Sequence, residues 1–99
     1  MLEYIEQLKN TNTREWNALP DWVREDLVSY VAHGYIEEGT TLYFALVNDF
    51  KKTICCAGDD VKPVFRELAI SIINYLPDNC HGSKEIVKHW KGILSKEVA

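Results

Sequence analysis

Cysteine is the first thing this chain has little of. Three thiols are an odd number, and Cys55 and Cys56 are neighbours, a layout that excludes a disulfide scaffold and leaves reduced thiols as the expectation. Metal-ligand spacing is absent too. Cys80 and His81 have no second close pair, and His33 and His89 stand at no standard distance from them, so no metal or cofactor is expected. No apolar run approaches the roughly 20 residues that cross a bilayer. The first ten residues carry acidic side chains where a secretory signal needs a basic stretch and then an apolar one, so the cytoplasm is the expected compartment and no membrane partner is foreseen. Positive charge is in deficit: 11 Lys and Arg against 15 Asp and Glu give a net charge of −4, the wrong sign for a coat on duplex nucleic acid. The acidic excess is small and broken by Lys51, Lys52, Lys84, Lys88 and Lys91, which also disfavours a mimic of a phosphate backbone. There is no internal repeat and no low-complexity tract.

What remains is the material of one small soluble domain. Its 99 residues are 46% hydrophobic and 26% charged, enough for one core and a solvated surface. So short a chain leaves much surface exposed, and a homo-oligomer is the expected way of covering some of it. The periodicity predicts an all-α fold, a compact single-domain bundle of four to five short helices spanning residues 1–99, with residues 1–13 as a peripheral helix and hinge. One helix is predicted over 20–33, opened by Pro20 and stopped by Gly34, with Trp22, Val23, Leu27, Tyr30 and Val31 facing inward. A central helix is predicted over 42–57, capped by Thr40 or Thr41 and ended by Gly58. Asp59 is expected to cap a third, whose stripe runs from Val61 through Leu68 and Ile72 to Leu76; its β-branched residues leave a strand over 68–75 as the lesser alternative. After Pro77, Ser83 caps a last helix reaching about Lys96, with Ile86, Val87, Trp90, Ile93 and Leu94 inward.

Two polar features stand out. Asn48 and Asp49 interrupt the most hydrophobic segment, where such side chains need partners. Either they bond a helix end or loop, or with Lys52 one turn on they edge a ligand site. The second feature is His81, Gly82 and Ser83, a turn opening onto a helix start, where free amides and the helix dipole can hold an anion; ordinary capping is the competing explanation. Tyr35 lies in a loop beyond the helical stripe and is placed to stack on a base or anchor a partner. Glu37 and Glu38 read as solvated charge, and no set of residues makes a convincing nucleophile, base and oxyanion donor, so catalysis ranks last.

Over residues 27–90 the chain resembles small, uncharacterised helical proteins encoded by phages and prophages. The resemblance rests on Tyr30-Val31-x-His33-Gly34, Gly39, the run Ala45-Leu46-Val47-Asn48-Asp49-Phe50, Ala57 with Asp59, and Tyr75-x-Pro77-x-x-Cys80-x-Gly82-Ser83 with Trp90. It implies an accessory gene acting in the host cytoplasm, in control of host processes or in counter-defence. The leading expectation is a non-enzymatic binder that sequesters a small nucleotide signal through Tyr35, Asn48, Asp49, Lys52, His81, Gly82 and Ser83. The alternative is an inhibitor or regulator that binds a host protein through a helical face.

Overall fold

Pro20 and Gly34 set the limits of the longest helix. The computed structural model describes residues 2–95, and in it the N-terminal elements are α1 (Leu2–Lys9), α2 (Arg14–Ala18) and α3 (Asp21–His33). Pro20 stands one position before α3 as its cap, and Asp21 places a carboxylate at the positive end of the helix dipole. Val23, Leu27, Tyr30 and Val31 recur at helical spacing and are wholly buried, so α3 carries the deepest part of the core. Trp22 was expected among them and is instead 43% exposed. It is displaced by about 100° around the helix from Val23, which puts it with Asp26 and Ser29 on the outer face.

The end of α3 is fixed by a second piece of chain. Gly34 takes φ 84°, and its N–H closes onto Tyr30 O at 2.8 Å. Ile93 and Leu94 then donate to Val31 O and Ala32 O, so a C-terminal strap satisfies carbonyls that the helix leaves open. The backbones touch: a Cβ on Gly34 would lie 2.4 Å from Lys91 C, and one on Gly92 only 2.3 Å from Ala32 O. Trp90 Nε1 donates to Tyr30 O at 2.9 Å, and Tyr30 Oη donates to Cys80 O at 2.6 Å, tying the strap and the segment before it to the same helix.

The central apolar run is not one helix. It divides into α4 (Thr41–Leu46) and α5 (Phe50–Cys56). Asn48 adopts φ 69°, its N–H donates to Ala45 O and that of Asp49 to Phe44 O, which together form a Schellman stop. Asp49 then caps α5, its carboxylate accepting from Lys52 N at 3.2 Å. The polar pair therefore ends one helix and begins the next, and the sequence pattern missed this because the apolar period continues in phase across the corner. Ile54, expected in the stripe, is 44% exposed. Thr40 is the cap of α4, as one of the two expected threonines.

A 3-10 turn, Lys62–Val64, holds Pro63 and leads into α6 (Phe65–Tyr75), so the strand alternative over 68–75 is set aside. Helix α5 ends at Cys56, short of Gly58, and Val61 takes the capping position expected of Asp59. A second 3-10 turn, Asp78–Cys80, precedes α7 (Lys84–His89), which Ser83 caps by accepting from Ile86 N. Helix α7 stops at His89 because Trp90 turns extended and Gly92 takes φ 95° to enter the strap; Lys96, the predicted end, lies outside the described residues. Trp90 and Ile93 are buried as expected, though not as helix, while Ile86 is largely on the surface.

The N-terminal segment is anchored rather than hanging free. Ile5 and Leu8 are buried, and Tyr4 Oη donates to Tyr75 O at 2.8 Å. Helix α2, too short to announce itself, is capped by Thr13 and buries Trp16 edge-on against Tyr75. Arg24 closes its far end by donating to Leu19 O and Asn17 O. The described residues thus form an all-α single domain of seven short helices, more than the four or five expected, because the central run divides and α2 is added. No helix among them is long and apolar enough to cross a membrane.

Candidate binding cleft

The outer face of α3 forms one wall of an open cleft of about 650 Å³. Trp22, Asp26 and Ser29 line it because they are spaced at one and two turns on the side opposite Val23 and Leu27. Gly34 turns the chain back over this wall, and the following loop contributes Tyr35, Ile36 and Glu37. The loop is held at its far end by Thr40, whose hydroxyl donates to Glu37 O at 2.8 Å and accepts from Tyr43 N. Buried Leu42 and Val61 form the apolar floor, and Cys56 at the end of α5 completes the rim with Gly58 and Asp60.

One bond joins the two sides. Trp22 Nε1 donates to Asp60 Oδ2 at 2.7 Å, a charge-assisted contact that fixes the indole and the carboxylate relative to each other across a sequence separation of 38. The turn carrying Asp60 is closed by Val61 N and Lys62 N, both donating to Gly58 O. Asp26, Glu37 and Asp60 bring three carboxylates to the lining, and among the described residues no Lys, Arg or His lines it. Two aromatic side chains stay open to solvent there, Trp22 and the 74%-exposed Tyr35. Carboxylates beside exposed aromatic faces suit a cation, which gains from both the charge and the ring quadrupole.

The other sequence-chosen residues gather elsewhere. Gly82 N donates to Leu46 O at 2.8 Å, which brings the Gly82 turn against the α4 end of the Asn48 corner. The two polar features therefore meet within one chain, but Tyr35 does not join them: it lines the acidic cleft, and Asn48, Asp49, Lys52, His81, Gly82 and Ser83 do not. Several of the groups expected to hold an anion are already engaged. The Gly82 amide bonds Leu46 O, the Ser83 hydroxyl caps α7, and the Lys52 ammonium sits 5.5 Å from the Phe44 ring centroid. His81 Nε2 is enclosed without a hydrogen-bond partner among the described residues, and burial lowers its pKa, opposed in part by Asp78. Cys80 is buried, and burial together with Asp78 pushes its thiol up to about 12, which keeps it protonated and a poor nucleophile at neutral pH.

Sequence reasoning placed Tyr35 in a recognition role but passed over Trp22, Asp26, Glu37, Cys56 and Asp60. The available signal was the spacing of Trp22, Asp26 and Ser29, which marks a second, polar face of the best-predicted helix. Nothing local linked Asp60 to it.

Fold and cleft together define an all-α domain with an acidic, aromatic surface cleft. No family model, curated protein or solved structure matches the chain.

Proposed function

We propose that this domain is a non-enzymatic binder that captures a basic segment of a protein partner in the cleft beside α3, and so inhibits or regulates that partner. The observation that carries the reading is the lining itself: three carboxylates, two open aromatics and no cationic side chain. A basic segment complements this charge, and the net charge of −4 adds long-range attraction of the same sense. The wall is a helical face, with Trp22 and Asp26 one turn apart on α3. The resemblance to phage and prophage proteins supports a host protein as the partner. Sequestration of a small nucleotide has less behind it, since the amide and hydroxyl that were to hold the phosphate are bonded within the fold.

The test is a fluorescence titration with a ten-residue peptide of alternating Gly and Arg. Trp16 and Trp90 are buried and Trp22 is exposed, so a change in emission reports the cleft. Binding should weaken steeply with added salt and be lost in the double variant Asp26→Asn, Asp60→Asn. No change in emission at low salt, or undiminished binding by the double variant, would overturn the reading.

A further inference from the structure

The Trp22–Asp60 pair permits a sharper statement about what enters the cleft, one that rests on the basic-segment reading. The indole N–H points at Asp60 Oδ2, so the carboxylate stands at the edge of the ring and the bond itself occupies neither face, while the side chain is 43% exposed. A hydrogen bond to a carboxylate also draws electron density into the indole, which strengthens the attraction of its face for a cation. Asp60 is exposed, and a Cβ on Gly58 would come to 3.2 Å from its other carboxylate oxygen, Oδ1, so a side chain at 58 would crowd that oxygen. A second carboxylate, Asp26, stands one turn along α3 on the same face as Trp22.

Arginine and lysine use such a site differently. A guanidinium is planar and weakly hydrated, so it can lie on an aromatic face while its N–H fork reaches a carboxylate at the ring's edge. An ammonium is compact and strongly hydrated, and it gains from the charge while forgoing the stacking. Trp22 combines an accessible face with a carboxylate fixed beside its edge, and no lining group repels a cation. We infer that the anchor of the bound segment is an arginine, stacked on Trp22 and hydrogen-bonded to Asp60, and that this pair makes the cleft select arginine over lysine.

The experiment compares two fluorescein-labelled ten-residue peptides, alternating Gly-Arg and alternating Gly-Lys, by anisotropy against the full chain. The wild type should bind the arginine peptide about fivefold tighter, the added value of a stacked cation at a partly exposed ring. Trp22→Ala should lower the arginine peptide to the level of the lysine peptide and leave the latter nearly unchanged, whereas Asp60→Asn should weaken both. Far-UV circular dichroism verifies that each variant is folded, and Trp22→Phe, which keeps a ring but not the N–H tether, should retain part of the preference. Equal affinity of the wild type for the two peptides overturns the arginine assignment and leaves the basic-segment reading standing. Failure of both peptides to bind overturns both.

Discussion

The two ends of α3 use the same residue types to opposite ends. At the C-terminal end, Tyr30 and Trp90 are buried, their polar atoms bond backbone carbonyls, and Gly34 and Gly92 let two segments of the chain approach within van der Waals distance. Toward the N-terminal end, Trp22 keeps a large part of its side chain in water and the nearby carboxylates meet no cationic partner among the described residues of the lining. An aromatic side chain with its polar handle bonded and its faces packed adds stability; one with its handle bonded and a face open is prepared for a ligand. Along a single helix the difference lies in what meets it: the strap closes onto the Val31 and Ala32 carbonyls at one end, while the cleft leaves Trp22 open at the other.

Substitutions should separate the two regions by effect. The largest loss is expected from Gly92→Ala, which demands positive φ of an L residue and drives Cβ into Ala32 O and His33; urea denaturation should show at least about 3 kcal/mol lost, or no folded protein. Next comes Tyr30→Phe, which leaves the Cys80 carbonyl without its buried donor and should lower stability by about 2 kcal/mol in the same assay.

The helix corner lies between these extremes and tests a different point. Asp49→Ala should cost about 1 kcal/mol by removing the cap of α5. Asn48→Gly should be neutral or slightly stabilising, because glycine accepts the left-handed conformation that asparagine only tolerates.

That corner also shows where the sequence could be read and where it could not. Pro20, Gly34, Thr40 and Ser83 are local signals whose meaning depends on a few adjacent residues, and each lies at or within one residue of its expected place. Asn48 and Asp49 were legible as an anomaly but not as a stop and a start, since Leu42, Leu46 and Thr53 keep an inward phase through the break. The strap was hidden for a similar reason: Ile93 and Leu94 continue the helical spacing of Ile86 and Val87, and only the bonds to α3 hold them in a turn outside helix α7. In the cleft, Tyr35 could be found because it stood outside a stripe. Trp22 was absorbed into the core because hydrophobicity alone does not distinguish it from its neighbour Val23, and Asp60 acquires its role only through a long-range bond.

A smaller effect is expected with pH. The folded state holds the His81 pKa below its unfolded value near 6.5, so the unfolded chain takes up the proton first and stability should fall as pH drops through that value; above it the contribution is complete. Stability curves from pH 8 to pH 5 should slope accordingly, and His81→Gln should flatten them. A small change in stability belongs to the cleft: Trp22→Phe, which keeps an apolar ring and gives up only a surface hydrogen bond, should lie within about 1 kcal/mol of the parent while reducing peptide affinity, which is the sharpest form of the contrast between the two ends of α3.

Cys56 offers the most direct measurement. It lines the cleft, while its exposed neighbour Cys55 does not, so the two thiols form a built-in site and reference. A brief iodoacetamide pulse, with and without the Gly-Arg peptide, followed by tandem mass spectrometry, compares their alkylation. Slowing at Cys56 with Cys55 unaffected is the predicted result. Equal reactivity of Cys56 with saturating peptide bound would contradict the account, because the segment would then be held somewhere other than the acidic cleft.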